Sequence, residues 1–260
     1  MQIRYRWLAL GLCFAALLTG CSRSRKPILP NTGQVPLKVW VVLGPGEYIG
    51  GPSNNGCRLS ESDIRAFIAQ LQSNGSVYGS NTRFIWNPSQ IVQAQDVGLL
   101  MDRTRSYQEF EQTVVFNYWT SGRLNIYFAG DVQLTSSGGN ALGMTLDPQA
   151  CQGHLVELPW IVINDGEPSS GATTPPSVMR AGHVLEHEMC HYLARFTNRT
   201  FSTPPPPRTY DSSEHVPAGQ NNLLVPNIPC PLTIPGRANQ AGTEKKEIWD
   251  RIWTGNWNNP

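Results

Sequence analysis

The sequence predicts an α+β domain, and three observations carry that prediction. Leu37, Val39, Val41 and Leu43 alternate with Lys38, Trp40 and Val42 as in a strand. Ile64, Phe67, Ile68 and Leu71 recur at helical spacing behind Ser60. Late in the chain, a helical segment carries His187 and His191 opposite an apolar stripe, with Glu188 beside them. With 260 residues and 40% apolar content, the chain can form one folded domain of moderate size, expected over residues 37–260.

Residues 1–20 read as a secretory leader. Arg4 and Arg6 supply a basic start, and Trp7 to Leu18 form an apolar core too short to span a membrane as a mature helix. The segment ends in Leu18-Thr19-Gly20-Cys21, which resembles the bacterial lipobox. That resemblance implies that Cys21 is diacylated and becomes the new N-terminus. Residues 21–36 are then a lipidated cysteine and a Ser/Arg/Pro-rich linker. Ser22, rather than aspartate, follows the cysteine, which by similarity to enteric sorting rules implies the outer membrane of a bacterial envelope. Removing Arg4 and Arg6 from the 20 basic residues leaves 18 against 19 acidic ones, a balance without the basic footprint of a nucleic-acid binder.

The first strand stops at Gly44-Pro45-Gly46. The first helix has Ser60 as N-cap with Asp63 three residues on, and Asn74-Gly75 closes it. Thr82 to Trp86 reads as a second strand. Ser106 with Glu109 forms a capping-box pattern ahead of Phe110, Val114 and Tyr118, a second helix. Leu124, Ile126 and Phe128 mark a third strand, and Ala141 to Leu146 a fourth. Trp160 to Ile163 is an apolar run suited to burial on both faces.

Next comes a helix expected to run unbroken from Val178 to Phe196, with Ser177 as N-cap. Val178, Ala181, Leu185, Met189, Tyr192 and Phe196 form its apolar stripe. Beyond it, residues 197–260 are rich in Pro and Asn and read as a loop-dominated subdomain. It ends in a helix capped by Thr243, with Trp249 and Trp253 as packing residues.

His187-Glu188-Met189-Cys190-His191 organises the chain. Histidines four apart on a helix lie about 40° apart around the axis, so both imidazoles can reach one ion. Glu188 falls beside them, where a carboxylate can take a proton without itself ligating the metal. A catalytic zinc needs a third protein ligand. His183 lies about 12 Å from His191 along the axis, too far for one ion, and reads as a supporting or surface residue. The remaining candidates are His154, in a tight Cys151–His154 connection, and His215 or its neighbour Glu214, in a polar loop downstream.

The order strand, helix, strands, HExxH helix and then His215 followed by Asn221-Asn222-Leu223-Leu224 resembles zincin metallopeptidases. It is most similar to bacterial metzincin-like members. The resemblance implies a mixed twisted sheet of about four to five strands, with His187, His191 and His215 binding Zn2+, Glu188 activating the attacking water, and Leu224 at the methionine-turn position. It also implies a polypeptide substrate that pairs with the edge of the Ala141 to Leu146 strand. The sequence departs from the metzincin pattern at Ala194, Thr197 and Leu224. No tyrosine follows His215, which leaves Tyr192, Tyr210 and Arg237 as candidates for stabilising the transition state.

Outside the leader and Cys21, four cysteines remain: Cys57, Cys151, Cys190 and Cys230. In an exported protein an even number suggests two disulfides in one of three pairings, of which Cys57 with Cys151 and Cys190 with Cys230 is favoured. Asp165 reads as a turn residue with Gly166 or as support for a metal ligand. The expected protein is thus a monomeric, lipid-anchored zinc peptidase. Its alternatives are a non-catalytic lipoprotein module on the same fold and a zinc hydrolase directed at peptidoglycan.

Overall fold

The computed structural model describes residues 34–52, 56–75, 82–95, 104–133, 141–146, 158–166 and 174–194. Strand β1 spans Gln34–Leu43, helix α1 Glu61–Ser73, β2 Arg83–Ile85, β3 Val92–Gln95 and β4 Thr104–Ser106. A helical passage follows as α2 (Tyr107–Phe110), a π-helical stretch (Glu111–Val115) and α3 (Phe116–Tyr118). Then come β5 (Leu124–Ala129), β6 (Asp131–Gln133), β7 (Gly143–Leu146), β8 (Trp160–Asn164), α4 (Pro176–Ala181) and α5 (Val184–Ala194).

The fold is α+β with a six-stranded mixed sheet, one or two strands wider than expected. β1 pairs in parallel with β2 through residues 34–36 and with β3 through residues 40–43. On its other side the order continues β5, β8, β7, and only β7 runs antiparallel. β4 and β6 form a separate parallel pair. β3, β4 and β6 had no counterpart in the sequence reading. β1 also begins three residues earlier than expected: Pro36 sits in register with Ile85, so residues 34–36 belong to the strand and not to the linker. Proline is tolerated near a strand's start.

Both faces of the sheet are covered, which is why its central strands are apolar throughout. Val35, Leu37, Val39, Val41 and Leu43 of β1 join Ile126, Phe128, Ile161 and Ile163 beneath α1, α4 and α5. Trp40 and Val42 face the opposite way, with Tyr127, Trp160 and Val162, against Phe110, Val114 and Val115. A buried amide on β5 is fully used: Asn125 accepts from Trp40 Nε1 and Thr120 N–H and donates to the Thr120 and Arg123 carbonyls.

The caps of α1 and α2 form as expected. Ser60 Oγ accepts from the Asp63 N–H at 3.2 Å, and Asn74 is the C-cap of α1. Ser106 and Glu109 complete a reciprocal capping box. Asp165 accepts from the Arg58 N–H at 2.9 Å, holding the loop ahead of α1, and Gly166 beside it has φ 78°.

The helix expected over Val178 to Phe196 is broken. α4 is capped by Pro175, with Ser177 inside its first turn, and the chain turns at Gly182-His183 before α5 begins. His183 has φ 52°, the left-handed region, at a cost of about 1–2 kcal/mol for a residue with a Cβ. The break changes the phase of the wheel. Val178 and Ala181 lie at the surface, while Met179 and Val184 enter the core beside Leu185, Met189 and Tyr192. Among the described residues no helix is long and apolar enough to cross a membrane.

Candidate metal centre

α5 lies against β7 and β8, and its four sides have different neighbours. Leu185, Met189 and Tyr192 are fully buried in the core. At 100° per residue, His187 and His191 fall on the opposite side, with Glu188 and Glu186 on the two flanks. The full burial of Tyr192 on the core side removes it from the candidates for a transition-state contact.

The two imidazoles converge. Their Nε2 atoms are 3.0 Å apart, and the rings meet edge to face at 4.6 Å between centroids. Two zinc–nitrogen bonds of about 2.1 Å at a tetrahedral angle separate their nitrogens by about 3.4 Å, so the pair needs to open only slightly to chelate one ion. The two nitrogens stand within hydrogen-bond distance, with donor and acceptor set by the tautomers. Both side chains are partly exposed.

Glu188 is 6% exposed and leans onto β7. Thr145 Oγ1 lies 2.7 Å from Glu188 Oε2 and 2.9 Å from the Glu188 backbone carbonyl. Thr145 is the donor in both, its hydroxyl proton shared between the two oxygens as a three-centre bond. Burial pushes the carboxyl up to about 7, with the Thr145 hydrogen bond acting in the opposite direction. That value is set by the protein groups alone, and a dication on the adjacent imidazoles would pull it down.

Gly143 provides the space for this carboxyl. A Cβ there would stand 2.7 Å from Glu188 Cγ and 2.9 Å from Oε1. Gly143 and Thr145 share the sheet face that meets α5, because residues two apart on a strand point the same way. Neither was singled out by the sequence reading. A glycine inside a strand pattern signals close approach of another group, and this was the one cue available.

Comparison with protein-family models, with characterised proteins and with solved structures finds no match.

Among the described residues no group of three or more His, Cys, Asp or Glu side chains is placed to hold a metal. His187 and His191 supply two donors. His154, Glu214 and His215, with Tyr210, Leu224 and Arg237, lie outside the described residues, as do the leader, Cys21 and the C-terminal subdomain. Cys57 is buried, its expected partner Cys151 and Cys230 lie outside those residues, and only the backbone of Cys190 is described. His183 stands away from the pair: its Nδ1 is 2.9 Å from Gln70 Nε2 and 3.5 Å from Glu186 Oε1.

Proposed function

We propose that the chain is a zinc-dependent peptidase of zincin-like layout, anchored in a bacterial envelope through Cys21. The observation that supports this best is the pair of Nε2 atoms 3.0 Å apart beside the buried Glu188 carboxyl. His187 and His191 would hold zinc with His215 as the third ligand. When bound, zinc would act as a Lewis acid toward a carbonyl oxygen and lower the pKa of a water.

The chain's own groups supply the rest. To ligate through Nε2, both imidazoles must carry their proton on Nδ1. Glu188 would accept the water's proton and return it to the leaving amine, a task suited to a carboxyl whose affinity for protons is raised by burial. Gly143 and Thr145 fix that carboxyl on the strand side of the helix. Among the described strands β7 lies at the end of the sheet and runs antiparallel to β8, so a peptide added along its outer edge would pass Glu188.

The test is metal content with hydrolysis. The full chain in detergent should hold one zinc, His191→Ala should lose it, and Glu188→Ala should keep zinc and lose cleavage of a peptide library. Hydrolysis by Glu188→Ala at the parent rate would remove Glu188 as the base. Stoichiometric zinc without hydrolysis of peptides or purified cell wall would leave a binding module.

A further inference from the structure

The first turn of α5 is held by the last turn of α1. Gln70 Nε2 donates to the Arg180 carbonyl at 2.9 Å and lies 2.9 Å from His183 Nδ1. Turning this amide over would set its oxygen against the Arg180 carbonyl, so the NH2 group faces both partners. His183 Nδ1 is then the acceptor, and its ring proton sits on Nε2. Four residues on, and so on the same side of α1, Asn74 Nδ2 donates to Glu186 Oε1 at 3.1 Å.

Gln70 therefore spans the break, gripping the end of α4 and the residue that opens α5. The His183 carbonyl accepts from the His187 N–H at 2.8 Å. Glu186, 1% exposed, immediately precedes His187 in the chain. Both contacts thus end one covalent or hydrogen-bonded step from the first metal-binding histidine. The left-handed turn at His183 is a conformation that surrounding structure must impose, and Gln70 and Asn74 are side chains that reach across from α1.

We infer that Gln70 and Asn74 are positioning residues for the metal site: they set the direction in which α5 leaves the Gly182-His183 turn and hence where His187 points. This rests on the metal-site reading above. Groups that orient ligands without touching the ion typically change metal affinity about 10- to 100-fold when removed.

The experiment is Co2+ titration of the full chain in detergent after chelator treatment, read by visible ligand-field absorption. Gln70→Met and Asn74→Leu are tested singly and together, so that the singles carry the test where the double variant does not fold. Asp63→Asn is the control. It removes the 3.2 Å ion pair with Arg180, another link between α1 and α4, without touching the turn.

At least a tenfold loss of Co2+ affinity with a changed absorption spectrum in Gln70→Met and Asn74→Leu, and neither change in Asp63→Asn, is the expected result. Co2+ binding abolished by His187→Ala but unchanged in the Gln70 and Asn74 variants would overturn the inference and leave the metal site standing. So would an equal loss in Asp63→Asn, which would reduce the effect to general loosening of α1. Parental Co2+ binding by His187→Ala, or none by the parent, would overturn the metal-site reading itself.

Discussion

Replacing Glu188 by glutamine in chelator-treated protein should change how stability depends on pH. Burial raises this carboxyl from 4.5 to about 7 in the folded chain. The folded state thus binds the proton more tightly than the unfolded state. The stability linked to that proton is fully present below about pH 4.5 and is lost as pH rises through about 7. At about 1.4 kcal/mol per pKa unit, the loss is about 3 kcal/mol. Glutamine keeps the shape and can accept from Thr145 Oγ1 through its own oxygen, but it does not ionise. Urea unfolding of parent and Glu188→Gln from about pH 4.5 to about pH 8 should therefore give a difference that grows by about 3 kcal/mol in favour of the variant. Histidines titrate in both proteins and largely cancel in the difference. Zinc should flatten it, because a dication stabilises the carboxylate. Parallel curves for the two metal-free proteins would mean that the carboxyl is solvated, and would refute the described contact with β7.

Three further substitutions test the same geometry and its surroundings. Gly143→Ala places a Cβ 2.7 Å from Glu188 Cγ and should lower peptide hydrolysis at least tenfold, by about 1.4 kcal/mol or more in the barrier, while zinc content stays at one per chain; parental turnover would show that Glu188 does not need its seat. Thr145→Val removes a hydrogen bond that lowers the Glu188 pKa, so the acid-side midpoint of the activity profile should move to higher pH, and Thr145→Ser should restore it. Tyr127 Oη is buried with no hydrogen-bond partner among the described residues, so Tyr127→Phe should leave stability unchanged or raise it by about 1 kcal/mol in thermal unfolding. A clear loss there would reveal a partner for the hydroxyl.

What the sequence made legible follows from how local each signal is. The cap at Ser60, the box at Ser106 and Glu109, and the convergence of His187 with His191 depend on residues three or four apart, and they fold as read. The Trp160 strand was legible because burial on both faces needs only an unbroken apolar run. β3, β4 and β6 are three or four residues long, mostly polar, and held by pairing with distant strands, so no local period announces them. The break in the helix that carries His187 and His191 was the largest loss. Gly182 was the signal for it, but Val178 and Ala181 happened to extend the Leu185 stripe at helical spacing. Tertiary contacts decided otherwise, placing Met179 and Val184 in the core and Gln70 across the turn.

The two glutamates beside His187 explain why such a helix can be held firmly while its histidines stay accessible. Residues 186 and 188 lie about 160° apart around the axis, so their carboxylates cannot share one neighbour. Glu186 meets Asn74 from α1, and Glu188 meets Thr145 and the open space at Gly143 on β7. With Leu185, Met189 and Tyr192 buried beneath, three of the four sides of α5 are fixed by groups from other elements. The remaining side carries His187 and His191, both partly exposed. A single polar contact of this kind contributes about 1 kcal/mol, and so cannot hold a helix by itself. Two contacts on opposite flanks over a packed stripe resist rotation about the axis in both directions. Rotation is the motion that would spoil a two-histidine site, because about 20° moves an imidazole nitrogen some 6 Å from the axis by about 2 Å, the length of a whole zinc–nitrogen bond.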